Sequence, residues 1–241
     1  MHVFFIDPTN SSSAFLSEEE NHHAVKVLRV KESQHAILLD GKGSIYEAEF
    51  IQVNNKNSEL KIIYKREQKA RPYSLHLAIA PTKMMERFEW FLEKATEIGV
   101  DSITPILTKR TERNVVKMQR MEKIVHAAVK QSQNAFLPLL NELTSFKEFV
   151  NQSHNGLKLI AHCIESEKSH LLDIAADSNL ITIMIGPEGD FTEDEIAMAL
   201  KSNFRAISLG ESRLRAETAG IVACSQVNSA WHRLPIAQKP N

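Results

Sequence analysis

The feature that most constrains the fold is a rhythm that begins near residue 74 and continues through most of the chain. Short apolar runs rich in β-branched residues alternate with longer segments of helical periodicity. Strands are expected at Ser74 to Ala80, Ser102 to Leu107, Leu157 to Ala161, Leu180 to Ile185 and Ala206 to Leu209. Helices are expected at Lys83 to Ile98, Lys117 to Gln131, Lys168 to Ala176, Glu193 to Lys201 and Ala216 to Ser229. Such alternation implies an α/β fold with a mainly parallel sheet, because parallel neighbours need crossovers long enough to hold a helix.

The residues before this rhythm read differently. Val3 to Ile6, His35 to Leu39, Ser44 to Val53 and Glu59 to Tyr64 look like short strands. Asp40-Gly41-Lys42-Gly43 and Asn54-Asn55-Lys56-Asn57 separate them as turns. They imply a small β-barrel. Ser17 and Glu20 fit a capping box that starts a short helix carrying His22 to Leu28. The charged run from Lys65 to Pro72 has no apolar period and ends in a proline that disfavours helix, so it is expected to be the linker. The division is one domain at 1–70 and a second at 71–241.

Several function classes drop out. The first apolar run is cut by Asp7-Pro8 and lacks a basic flank, so no secretory signal is expected. No stretch approaches the roughly 18 apolar residues of a membrane helix, and a cytoplasmic location is expected. Cys163 and Cys224 sit in apolar segments without metal-ligand spacing, so both are expected to be buried free thiols and no metal is expected. A net charge of -1 does not exclude a nucleic-acid partner, which needs a basic patch rather than a basic total. Lys109, Arg110, Arg113, Lys117, Arg120, Lys123 and Lys130 meet only Glu112 and Glu122, so this stretch is either a phosphate-binding footprint or a solvated helix face.

Chemistry is expected at two strand-to-helix loops. The first follows Ile181 to Ile185 as Gly186-Pro187-Glu188-Gly189-Asp190-Phe191, and Thr192 with Glu195 forms a capping box for the next helix. Its glycines would let backbone groups approach a flat ligand, or would simply make a tight turn. Its acidic residues argue against a phosphate cradle. The second runs Leu209-Gly210-Glu211-Ser212-Arg213-Leu214-Arg215-Ala216-Glu217-Thr218. Two such loops at one sheet edge would make a single crevice, the usual ligand position in open α/β sheets. Neither a dinucleotide fingerprint nor a nucleoside-triphosphate loop is present.

Gly186 to Thr192, Leu209-Gly210 and Leu214 to Ala219, with Glu93 to Val100, Gln131-Ser132 and His22-His23, resemble the 16S rRNA (uracil-N3)-methyltransferase family of the SPOUT superfamily. The resemblance spans essentially the whole chain. It implies a PUA-like RNA-binding barrel, then a SPOUT methyltransferase domain with a C-terminal trefoil knot, and a homodimer acting on 16S rRNA of the small subunit. It also implies S-adenosylmethionine held by Ile185, Gly186, Glu188, Gly189, Leu209, Gly210 and Leu214, with His162 in a third wall. Arg215 and Glu217 are the catalytic candidates, since uracil N3 must lose a proton before it attacks; a structural pairing of the two is the alternative. RNA contacts are expected from His22, His23, Arg29, Lys31, Lys109, Arg110 and Arg113. Two departures stand out: the family usually has Gly at Asp190, and Arg then Ile at Ser212 and Arg213. Glu93 and Glu97 are expected to serve surface pairing with Lys94 rather than chemistry. The alternatives are another SPOUT activity, on a ribose 2′-oxygen or a guanine, and a non-catalytic RNA-binding assembly protein.

Overall fold

The computed structural model describes residues 1–7 and 12–233. Two compact units are present: Met1–Ala70 with Val129–Leu137, and Arg71–Ala128 with Pro138–Asn241.

In the first unit, β1 (His2–Phe5), β2 (Ser13–Phe15), β3 (His35–Leu39), β4 (Ser44–Gln52) and β5 (Glu59–Glu67) form one sheet in the order β1-β3-β4-β5-β2. Only β1 with β3 is parallel. Register shifts at Glu47/Ala48 and Phe50/Gln52 bend β4 against β5, and such bulges curl a sheet. The expected barrel is therefore a half-barrel with two edges, closed over Phe4, Leu38, Tyr46, Phe50 and Leu60. The run expected as linker is strand through Glu67.

Helix α1 (Glu18–His22) passes directly into a π-helix, His23–Leu28. Ser17 caps α1 by accepting the Glu20 N–H at 3.3 Å. The expected reciprocal bond from Glu20 is absent; its carboxylate accepts the Phe5 N–H and pairs with Lys130 instead. Both partners use the same oxygen, and the other carboxylate oxygen has no partner among the described residues.

The second unit contains β6 (Ser74–Ile79), α2 (Met85–Ile98), β7 (Ser102–Leu107), most of α3 (Met118–Ser132), β8 (Leu139–Leu140), β9 (Thr144–Ser145) and α4 (Phe146–Asn151). It continues with β10 (Leu157–Ala161), β11 (Ser169–His170), α5 (Leu171–Ile174), β12 (Leu180–Ile185), α6 (Glu193–Lys201), β13 (Arg205–Ser208) and α7 (Ala216–Arg233). The sheet order is β11-β13-β10-β12-β6-β7-β8, with β9 also on β7, and every pair is parallel. The helix expected at Lys168 to Ala176 shrinks to α5, because Ser169 and His170 pair with Ile207 and Ser208. Helix α4 was not expected, although Ser145 and Glu148 give it a complete capping box.

Strand β12 lies in the middle and is buried from Ile181 to Ile185, as a parallel strand covered on both faces must be. On one face α4 and α6 bury Phe146, Phe149, Phe191 and Phe204 against Met184 and Ile160. On the other, α7 lies so close to α2 that a Cβ on Gly220 would stand 2.5 Å from the Phe91 ring. Overpacking of that kind costs about 1–3 kcal/mol. After β12 the chain steps across β10, so β12 and β13 flank it. This crossover sets the C-terminal ends of three strands side by side.

Candidate active site

The loops leaving β10, β12 and β13 enclose a cavity of about 690 Å³, a volume typical of small-molecule sites. Ile185, Gly186 and Glu188 line it from the second loop, Leu209, Gly210 and Leu214 from the third, and His162 from the first. Arg215 also lines it. Gly189 does not: its Cα faces Arg110, whose Cδ lies 3.3 Å from where a Cβ would stand.

The second loop is held from every side. Gly186 has no room for a side chain, because a Cβ would come within 3.2 Å of the Phe191 ring and backbone. Arg110 donates to the Gly189 carbonyl at 2.7 Å. Glu188 accepts the Lys83 N–H at 3.0 Å. Glu195, nearly buried, closes the capping box on Thr192 with one oxygen and accepts the Lys109 N–H at 2.7 Å with the other. Asp190 takes a left-handed backbone with φ 64°. Its carboxylate accepts the Cys163 N–H at 2.7 Å and the Phe191 N–H at 2.8 Å. The left-handed backbone costs about 1–2 kcal/mol, and two bonds to a charged acceptor at about 1.5–3 kcal/mol each more than offset it. Asp190 thereby ties the end of β10 to the loop after β12.

Cys163 is exposed at this junction and Cys224 is buried, so the expectation of two buried thiols fails for Cys163. Its apolar segment ends two residues earlier, at Ala161, where β10 gives way to the loop. Burial pushes the Cys224 thiol up to about 12, which leaves it protonated and inert.

His162 is 8% exposed and neither ring nitrogen makes a hydrogen bond of good geometry among the described residues, although the Ile164 backbone is near enough to favour its protonated form. Burial and then the Lys168 ammonium hold its pKa below the ordinary value, against the pull of Asp190. The ring is therefore neutral at pH 7, one nitrogen a donor and the other an acceptor.

On α7, Ala216 and Ala219 face the cavity, while Gly220 faces α2. Glu217 is buried and does not line the cavity. One of its oxygens lies 3.9 Å from Arg87 Nε and the other has no partner. Arg215 is exposed and its carbonyl accepts the Ala219 N–H at 2.7 Å; no Arg215–Glu217 pair forms. Gln226, which sequence reasoning missed, donates to the Leu209 carbonyl at 3.0 Å and braces the third loop.

His22, His23, Arg29 and Lys31 are all exposed in the first unit, around the π-helix. Lys109 and Arg113 are exposed in the second. Arg120 is engaged by Glu89 and Lys130 by Glu20, so the basic stretch offers fewer free charges than its composition suggests. Lys94 bridges Glu93 and Glu97, as expected. Among the described residues no group of three His, Cys, Asp or Glu is placed to hold a metal, and no helix is long and apolar enough to cross a membrane.

The family model for an RNA methyltransferase domain matches residues 69–228, and that for an RNA methyltransferase PUA domain matches residues 16–63. A Rickettsia conorii protein named ribosomal RNA small subunit methyltransferase E is 31% identical over 90% of this chain and 90% of its own length. The chain belongs to the ribosomal RNA small subunit methyltransferase E family. Two solved structures agree with that membership. A probable rRNA methyltransferase from Porphyromonas gingivalis is 34% identical, with a TM-score of 0.83 over 96% of this chain and 99% of that one. A ribosomal RNA small subunit methyltransferase E from Neisseria gonorrhoeae, solved bound to S-adenosylmethionine, is 28% identical, with a TM-score of 0.87 over 96% and 98%. The second unit of this methyltransferase is thus a SPOUT-type parallel-sheet domain, and the half-barrel is its PUA-like companion.

Proposed function

We propose that this protein methylates N3 of a specific uridine in 16S ribosomal RNA of the small ribosomal subunit, with S-adenosylmethionine as cofactor. It works as a cytoplasmic homodimer, and its C-terminal segment forms a trefoil knot. The observation that carries this reading is the cavity at the joined ends of β10, β12 and β13, lined by the loops through which the chain resembles its family. The cofactor-bound relative from Neisseria gonorrhoeae supports the same ligand.

The residues present fit that cofactor. His162 brings two buried ring nitrogens without partners to the cavity wall, and unbonded buried polar groups are costly unless a ligand or water meets them. Backbone groups of Ile185, Gly186, Leu209, Gly210 and Leu214 would receive the nucleoside, with Glu188 and Gly189 fixing the shape of the second loop. When bound, S-adenosylmethionine supplies an electrophilic methyl on its sulfonium.

Uracil N3 is a poor nucleophile until its proton leaves. Arg215, exposed at the cavity, donates hydrogen bonds to the uracil oxygens and stabilises the N3 anion. Glu217 acts from the interior: its carboxylate lies at the positive end of α7 and near Arg87, where it holds the start of the helix that carries Arg215. His22, His23, Arg29, Lys31, Lys109 and Arg113 contact RNA and make binding fall with salt. Arg110 braces the second loop and contributes to RNA binding only through its charge.

The test is methyl transfer from labelled S-adenosylmethionine to small subunits that lack the modification, with the product nucleoside identified by mass spectrometry. The expected product is 3-methyluridine. Label on a ribose 2′-oxygen or a guanine would assign another SPOUT activity, and binding of RNA without cofactor binding or transfer would assign a non-catalytic assembly role.

A further inference from the structure

Lys168 and Asp190 place opposite charges in the wall of the cofactor cavity. Neither forms an ion pair among the described residues. The Lys168 ammonium donates to the His162 carbonyl at 2.9 Å and keeps two further donors. Each Asp190 oxygen accepts one backbone N–H and keeps a lone pair. The His162 ring, in the same wall, feels both charges: Lys168 pushes its pKa down and Asp190 pulls it up.

Two charges of opposite sign, neither in an ion pair, beside a neutral imidazole suit a zwitterion. Only one end of S-adenosylmethionine is a zwitterion, the amino-acid end. We infer that Lys168 and Asp190 bind the α-carboxylate and α-ammonium of the methionine moiety, with His162 offering one further hydrogen bond. This rests on reading the cavity as the cofactor site.

The other charges around the cavity serve differently. Glu188 is exposed and, like Asp190, accepts a backbone N–H, that of Lys83, but only Asp190 acts on the His162 ring together with Lys168. Glu211, Arg213 and Arg215 line the cavity from the third loop, where all three are exposed, the wall assigned above to the RNA base. Asp190 supplies both the charge for the ammonium and the tie to Cys163. A glycine there would supply neither the charge nor the tie to Cys163.

The test compares titration calorimetry of S-adenosylmethionine with that of 5′-methylthioadenosine, which shares the nucleoside but has no amino-acid end. Lys168→Gln keeps a donor for the His162 carbonyl, and Asp190→Asn keeps an acceptor and tolerates the left-handed backbone. Each substitution is expected to weaken S-adenosylmethionine about ten- to a hundredfold, the size of one charged hydrogen bond. Binding of methylthioadenosine should not change in Lys168→Gln, and in Asp190→Asn, which gives up one of the two backbone bonds, it should fall far less than that of S-adenosylmethionine. Equal weakening of both ligands would overturn the inference and make the two residues supports of the loop. Unchanged binding of S-adenosylmethionine in both variants would also overturn it. Failure of the unaltered protein to bind either nucleoside would overturn the cofactor reading itself, and the inference with it.

Discussion

The loop after β12 and the loop after β13 form two walls of one cavity, and they are built in opposite ways. The first is tied to three other segments: to Lys83, to Lys109 and Arg110, and to Cys163. The second, from Gly210 to Arg213, is exposed throughout and is held by a local Ser208–Gly210 bond and by Gln226 from α7. Under the proposed function the difference separates two tasks. A wall that fixes a cofactor gains from arriving already shaped, because ordering it on binding would cost affinity. A wall that must admit an RNA base and present Arg215 gains from being free to adjust.

The sharpest way to break this contrast is Arg215→Ala. Loss of one donor to a developing anion is expected to slow single-turnover methyl transfer about 10²–10³-fold. Its unfolding free energy should stay within about 0.5 kcal/mol, as at other exposed sites. A variant that lost stability instead would return Arg215 to a structural role. Glu195→Ala attacks the tied wall. It removes the reciprocal half of the capping box and leaves the Lys109 N–H without its partner, and urea denaturation should show a loss of about 2–4 kcal/mol.

Asp190 sharpens the comparison within the tied wall. Asp190→Ala keeps the left-handed strain and loses both bonds, while Asp190→Gly loses the bonds but relieves the strain. Thermal unfolding should rank the glycine variant above alanine by about 1 kcal/mol. Gln226→Ala, on the free wall, should cost only about 1 kcal/mol, one neutral hydrogen bond. The smallest effect is that of pH on His162. Its folded pKa lies below the ordinary 6.5, so as pH falls the unfolded chain takes the proton first. Its contribution is fully present above about 6.5 and is lost as pH drops toward the folded value. Replacement of His162 by Gln should flatten that part of the stability profile; a steeper profile would mean that the imidazole is charged in the folded protein.

Much of the scaffold was legible from periodicity alone. Strands β6, β7, β10, β12 and β13 lie within a residue or so of their expected places, since a buried parallel strand is a continuous apolar run. Thr192 and Glu195 announced α6 because a capping box is local. Helix α4 has the same signature at Ser145 and Glu148, but its six residues are too few to show a helical period. Pairing across long distances erased the first turns of the helix expected after Lys168, and no local pattern encodes such pairing.

The cavity was legible only as a set of loops. Gly186, Leu209 and Leu214 stand on its lining, but the residues that brace it are far apart in sequence: Arg110 with Gly189, Lys109 with Glu195, Gln226 with Leu209. In the basic stretch after Lys109, charge counting cannot see that Arg120 and Lys130 are already engaged. Asp190 read as a tolerated departure from glycine. Its two backbone bonds make it the link between two walls.

The most direct test of one shaped wall and one free wall is amide hydrogen exchange across residues 186–192 and 209–215, with and without saturating S-adenosylmethionine. Residues 186–192 should be protected before the cofactor is added and gain little. Residues 209–215 should exchange fast alone and slow markedly on binding. Equal, fast exchange of both loops without cofactor, or no change at 209–215 on saturation, would contradict the account.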